Sequence, residues 1–322
     1  MRTNAYVTLA AWLALGQVQA QGGFNRRYDP FGQHAQQFAW SVELRPDGNL
    51  ICFGVTPWSD SLYYSAVVCA IELDPQGDVL SEHRVEIPTY ISYPGWSNTS
   101  DRLPDGSFIV GGNTRDTASV PRATLFRFDS IGAITSLVQF DTARFGRQAK
   151  QAPDGGVLLC GDTNDGVQSD AFLIKTDSAG TLQWFRDYGT PTLQEGAISV
   201  DRAPSGGFFV GGEKDASPGI DQPWLFRVDS IGNMLWQHVY GPAVGNSPNA
   251  HLRTLADSNC VFASSFPTDA IGNYLMCMVK VDTAGTTLWE KTYGVSSAYQ
   301  SFFSVIEESH SGDLVACGQS YQ

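Results

Sequence analysis

Trp224-Leu225-Phe226-Arg227-Val228-Asp229-Ser230-Ile231-Gly232-Asn233-Met234-Leu235-Trp236-Gln237-His238-Val239-Tyr240-Gly241 reads as two short strands joined by a tight turn. Asp suits the first position of a type I turn, where its carboxylate accepts from the backbone two residues on. Gly suits the fourth, where a left-handed residue completes the hairpin. The same Asp-x-x-Gly punctuation stands at Asp74–Gly77, Asp129–Gly132, Asp177–Gly180 and Asp282–Gly285, a spacing of about 50 residues that marks a repeat fold whose units bury their faces against neighbours. Working outward, Ile198-Ser199-Val200-Asp201-Arg202 alternates apolar and polar residues, Pro204-Ser205-Gly206 turns the chain, and Gly207-Phe208-Phe209-Val210-Gly211-Gly212 is a second apolar strand. Each unit therefore has four strands. Four antiparallel strands repeated radially describe an all-β β-propeller of four-stranded blades, here about six units with the last incomplete; a linear stack of sheets is the competing arrangement.

The units run over residues 38–87, 96–140, 145–189, 197–241, 251–294 and, in part, 301–322. Their first hairpin turns lie at Gly48, Gly106, Gly155, Gly206, Asn259 and Gly312. Trp184, Trp236 and Trp289 recur on the fourth strands, followed by Tyr188, Tyr240 and Tyr293. Their even spacing puts them on one sheet face, where they are expected to pack against the neighbouring sheet. Residues 24–32, with Tyr28, can be laid on a fourth strand and are expected to close the last blade. A shortened form of a longer chain is the alternative.

The N-terminus carries Arg2, an apolar run from Ala5 to Leu15 and Val18-Gln19-Ala20, the pattern of a signal peptide over residues 1–20, which leaves residues 21–322 as one exported repeat domain. A net charge of −13 speaks against a nucleic-acid partner and an anionic membrane, and no later stretch is apolar enough for membrane insertion. Cys52, Cys69, Cys160, Cys260, Cys277 and Cys317 read either as disulfide partners or as small core residues; Cys69 and Cys277 share one repeat position, as do Cys160 and Cys317.

Asp170-Ala171-Phe172-Leu173-Ile174-Lys175-Thr176-Asp177-Ser178-Ala179-Gly180, followed by Trp184 and Tyr188-Gly189, resembles the repeats of exported, propeller-like Bacteroidetes proteins. The resemblance covers roughly Phe38 to Gly318. It implies an extracellular or cell-surface protein of the type IX secretion kind and carries no catalytic motif; the sorting domain that often ends such chains is not found in this sequence.

In such blades the tight turns gather on one face of the ring and the long connections on the other, which makes the second the candidate ligand face. Trp58, Tyr63, Tyr64, Tyr90, Tyr93 and Trp96 belong to connections of the first unit on that face. Exposed aromatic platforms of this kind stack on sugar rings or peptide segments. Asp60, Asp116, Asp162, Asp165, Asp170, Glu213, Asp215 and Asp221 share the face and read as solvated loop carboxylates, with calcium as the alternative. His34, His83, His238, His251 and His310 lack metal-ligand spacing, and no nucleophile elbow occurs. The expectation is a surface binding or scaffold module without catalytic activity, metal or cofactor, taking a glycan or protein ligand. The alternative is a propeller enzyme acting on carbohydrate or alcohol substrates through paired carboxylates.

Overall fold

The computed structural model describes residue 28 and residues 38–57, 66–87, 91–96, 98–116, 120–164, 167–217, 219–243, 250–267, 274–293 and 300–321. The expected signal peptide lies outside these residues. All regular structure among them is β-strand, and no helix there is long and apolar enough to cross a membrane.

The strands form a β-propeller. Blade 1 is β1 (Phe38–Leu44), β2 (Leu50–Pro57), β3 (Ala66–Leu73) and β4 (Val79–Arg84), antiparallel in that order. Blade 2 splits its first strand into β5 (Ile91–Pro94) and β6 (Ser100–Arg102), both paired to β7 (Phe108–Arg115), followed by β8 (Pro121–Phe128) and β9 (Ile134–Phe140). Blade 3 is β10 (Phe145–Gln151), β11 (Val157–Asp162), β12 (Ala171–Thr176) and β13 (Leu182–Tyr188). Blade 4 is β14 (Glu195–Arg202), β15 (Phe208–Ser217), β16 (Ile220–Val228) and β17 (Met234–Val239). Blade 5 is β18 (His251–Thr254), β19 (Cys260–Pro267), β20 (Tyr274–Val281) and β21 (Thr287–Tyr293), and blade 6 shows the hairpin β22 (Gln300–Glu308) and β23 (Leu314–Tyr321).

The turn chemistry is as the sequence demands. In the Asp229 turn the amide of Gly232 donates to the carbonyl of Asp229 at 3.2 Å, and the amides of Ile231 and Asn233 donate to its Oδ1 at 3.0 and 2.8 Å. Gly232 takes φ 85°, in the left-handed region. Blade 5 departs from the sequence reading: the left-handed residue of its first turn is Ser258, at φ 71°, and not Asn259. Ser258 donates its amide to the carbonyl of Leu255 at 2.9 Å, so the turn has the length of its counterparts in the other blades and its left-handed position falls one residue earlier than expected. An L-residue there costs about 1–2 kcal/mol. Ser258→Gly should therefore stabilise the protein by about 1 kcal/mol, read as a raised denaturation midpoint at unchanged slope.

Both faces of each inner sheet are buried, so successive side chains serve different interfaces. Leu158 and Cys160 of β11 join Val200, Phe208 and Trp224 of blade 4, whereas Val157 and Leu159 join Ile109 and Leu125 of blade 2. Equivalent clusters lie between blades 1 and 2, 4 and 5, and 5 and 6. All six cysteines are free thiols, and all but Cys317 are buried; Cys160 and Cys260 sit inside these clusters as small core residues. At the rim, the hydroxyls of Tyr188 and Tyr240 donate to the turn carbonyls of Gly232 and Gly285 in the next blade, at 2.6 and 2.9 Å. Tyr28 makes the same bond to Gly77 of blade 1 at 2.9 Å and packs with Leu50, Cys52 and Leu73.

The first strands line the axis, and blades 1 to 5 are bonded there in succession. The amide of Asn98 donates to Trp40 O at 2.8 Å, Gln148 Nε2 to Asn98 O at 2.7 Å, Val200 N to Gln148 Oε1 at 2.7 Å and Ser199 Oγ to Ala250 O at 2.6 Å. One repeat position, five residues before the left-handed turn residue, is charged in every blade: Glu43, Asp101, Lys150, Asp201, Arg253 and Glu307. Asp101 Oδ2 accepts the amide of Gln151 at 2.9 Å, and Asp201 Oδ2 that of Thr254 at 2.8 Å, so an axial acid fastens the following blade. Lys150 Nζ reaches Asp101 at 3.1 Å, and Arg253 Nε reaches Glu307 at 3.2 Å. Burial pulls the Lys150 ammonium down, but Asp101, Asp201 and Glu43 outweigh it and hold its pKa above the usual value. Burial lifts the Glu43 carboxyl, with Lys150 in part opposing, and the charge of Glu307 on blade 6 adds to the rise.

Candidate functional site at the heads of blades 2 to 4

The first strands of blades 3 and 4 start on the face of the ring opposite the tight turns, and the blade 2 strand is interrupted there. The interruption carries Trp96. A Cβ on Gly95 would stand 1.7 Å from the carbonyl oxygen of Arg147, and one on Gly146 2.3 Å from that of Gly112. Only glycine lets the backbones of blades 2 and 3 meet this closely. The approach lays the Trp96 ring, 53% exposed, 4.1 Å from the guanidinium carbon of Arg147, a cation–π contact.

Arg147 owes its position to a β-bulge: the β10–β11 register shifts between Gly146 and Gln148 and takes the intervening side chain out of regular alternation. Its Nε and Nη2 donate to Oδ2 of Asp162 at 2.9 and 2.7 Å. Burial raises the Asp162 carboxyl above its ordinary range, with Arg147 pulling the other way. Gly196, at the head of β14, joins this pair to a second group. A Cβ there would meet Oε1 of Glu213 at 3.5 Å and Cβ of Asp162 at 3.9 Å.

That second group belongs to the β15–β16 hairpin, where Asp215 and Asp221 oppose one another. Asp215 is buried and tied to Gln194: its amide donates to Gln194 O at 2.9 Å, and its Oδ2 accepts from Gln194 N at 3.3 Å. Asp221 is half-buried. Burial, a hydrogen bond with the Asp215 carboxyl and the charges of Glu213 and Asp215 raise its pKa to about 7. Glu195 lies buried at the head of β14, its Oε1 accepting from Thr190 Oγ1 at 2.9 Å and facing Lys214 Nζ at 3.3 Å, while its Oε2 has no partner. A carboxylic acid that keeps its proton near neutrality among other acidic side chains can donate a proton to a leaving oxygen.

Of the aromatics expected to bind ligand, Trp96 stands in the site. Tyr93 is half-buried in β5, with its carbonyl oxygen pressed onto Gly112, where a Cβ would come within 2.2 Å. Trp58, Tyr63, Tyr64 and Tyr90 lie outside the described residues, as do Asp60 and Asp165. The reading of the acids as solvated loop carboxylates is corrected for Asp162 and Asp215, which are buried within strands. The stretch 213–223, which carries Glu213, Asp215 and Asp221, is mostly paired strand. Asp116 pairs with Arg122 at 2.9 Å, and Asp170 Oδ1 accepts from Gln168 at 2.9 Å. Among the described residues no group of three or more His, Cys, Asp or Glu is arranged to hold a metal ion. Arg147, Arg115 and Phe145 were not singled out by sequence; the bulge that projects Arg147 has no signature in the residues alone.

The chain matches no family model and no curated protein. Its fold matches solved structures over most of its length. A protein of unknown function from Dyadobacter fermentans aligns with a TM-score of 0.56 at 12% identity, over 87% of this chain and 93% of the other. An ulvan lyase, a polysaccharide lyase solved with a glucuronate–sulfated rhamnose ligand, aligns at 0.53 and 10% identity, over 79% and 69%. A Hadza microbial sialidase aligns at 0.54 and 11% identity, over 88% and 65%. These likenesses are in fold, and they carry no link to type IX secretion. They overturn the expectation of a module without catalytic activity, because that expectation treated the propeller as a scaffold and the same architecture serves a polysaccharide lyase and a sialidase.

Proposed function

We propose that the chain is an exported carbohydrate-active propeller whose loop face binds a glycan and cleaves a glycosidic bond. The observation that carries this reading is the carboxyl trio of Glu213, Asp215 and Asp221, in which Asp221 holds its proton up to about pH 7. In the proposed reaction Asp221 protonates the departing glycosidic oxygen, and an ionised neighbour, Glu213 or Asp215, stabilises the positive charge on the ring or activates water. Trp96 supplies a stacking platform on the same face. Tyr93 and the connections carrying Trp58, Tyr63, Tyr64 and Tyr90 belong to the same proposed surface. The propeller likeness to glycan-processing enzymes supports the reading at the level of architecture.

The test is incubation of the purified full chain with a panel of plant, algal and animal polysaccharides, followed by assay of new reducing ends and of unsaturated products. Hydrolytic ends that vanish in Asp221→Asn are the expected result. Products bearing a double bond would replace hydrolysis by elimination, and no turnover on any glycan would remove the reading.

A further inference from the structure

The loop face is electrically two-ended. Over blade 4 it gathers Glu213, Asp215 and Asp221, whereas between blades 2 and 3 it gathers Arg115 and Arg147 around one aromatic ring. Their guanidinium carbons lie 5.5 and 5.8 Å from the centroid of Phe145. Of these two arginines at the head of a blade, Arg147 already has Asp162 as its counter-anion and Arg115 has none among the described residues. Their commitments differ. Arg147 spends Nε and Nη2 on Asp162. Arg115, at the end of β7, has no carboxylate partner among the described residues, and its Nε has no acceptor. Nearby Arg122 shows the alternative outcome, being held by Asp116 and Asp141 at 2.9 and 2.7 Å.

We infer that the substrate is an acidic glycan, and that the carboxylate of a uronic acid-type sugar docks on Arg115, with Arg147 adding positive potential and Phe145 and Trp96 covering the sugar's apolar face. This rests on the proposed glycan-cleaving function and adds the substrate class. A guanidinium edge presents two parallel donors that match the two oxygens of a carboxylate, which a neutral sugar hydroxyl cannot replace. The polarity of the face also fixes orientation: the anionic residue lies toward blades 2 and 3, and the bond to be broken lies toward Asp221. Repulsion from the blade 4 carboxylates opposes the reverse placement.

The test is calorimetric binding to the full-length Asp221→Asn protein, which retains the face and blocks turnover. The probes are an oligouronide, the same oligosaccharide with its carboxyls reduced to alcohols, and a sulfated neutral oligosaccharide of equal length. Carboxyl reduction should weaken binding at least tenfold. Adding Arg115→Ala should weaken oligouronide binding by a similar factor while leaving the reduced ligand unchanged, and Arg115→Lys should restore only part of the loss. Equal binding of the acidic and reduced ligands would overturn the inference while leaving the glycan reading intact, and preference for the sulfated ligand would overturn the assignment of a carboxylate. Binding of none of the three would overturn the inference; turnover of neutral glycans in the panel above would then show that the glycan-cleaving reading survives it. Because the chemical change is made in the ligand, the comparison does not depend on how well any arginine variant folds.

Discussion

Asp221→Asn should lower turnover by about 10²–10⁴-fold, the range by which a positioned general acid speeds a reaction. The amide preserves shape and the contact with Asp215, so KM should change little and the loss should fall on kcat. The pH behaviour separates this role from a structural one. With Asp221 held up to about 7 by burial, Asp215 and Glu213, the wild-type rate should decline as pH rises through about 7, because the proton to be donated is then absent. The stability consequence has the same sign. A carboxyl whose folded pKa exceeds its unfolded value contributes most below the unfolded value, and that contribution is lost as pH climbs through the folded one. Asp221→Asn should therefore melt higher than wild type at pH 8, and the gain should disappear near pH 4. A variant that is stabilised at alkaline pH but retains full activity would leave Asp221 a strained structural acid.

Lys150→Met should destabilise the protein by about 3–5 kcal/mol, the usual cost of removing one partner from a buried ionic group. Lys150 is the buried cation among Asp101, Asp201 and Glu43 near the axis, with Arg202 3.6 Å from Asp101 and Arg253 3.8 Å from Asp201 as further counter-charges. Methionine fills a similar volume, so packing loss is small, and the cost comes from acids left facing each other. Two measurements isolate that cause. The deficit in urea denaturation should shrink as the solution is acidified and the acids protonate. The double variant with Asp101→Asn should recover a substantial part of it, because Asp101 is the acid in direct contact. A deficit indifferent to pH would place the cost in packing.

The propeller was legible because its rules are local. Asp-x-x-Gly dictates a turn whichever blade it sits in, and alternation such as Val157-Leu158-Leu159-Cys160 assigns side chains to opposite interfaces. Where local rules compete, the reading slipped by a residue: Asp257-Ser258-Asn259 offers Asn for the left-handed position, but the backbone places Ser258 there. The site was half legible. Among the described residues, Asp116, Asp162, Asp170, Glu213, Asp215 and Asp221 lie toward the face that topology gave them, at or near strand ends away from the tight turns, and Trp96 lies in the break between β5 and β6. Their pairing was not legible, because Asp162 meets Arg147 through a bulge, and Asp215 meets Asp221 through strand pairing that continues beyond the usual blade length. The axial ring was equally hidden: Glu43, Asp101, Lys150, Asp201, Arg253 and Glu307 share a position but neither a residue type nor a sign, so no motif search brings them together.

The uneven burial of the thiols makes the protein its own reporter. Five cysteines are sealed between or within sheets, and burial pushes the thiols of Cys52, Cys69 and Cys160 up to about 12, where almost no reactive thiolate exists at neutral pH. Cys317 alone faces solvent, on the hairpin of blade 6. A maleimide dye would mark that one position on the native ring without mutagenesis. Each further label taken up under mild denaturant would record the parting of the sheets that enclose a particular thiol.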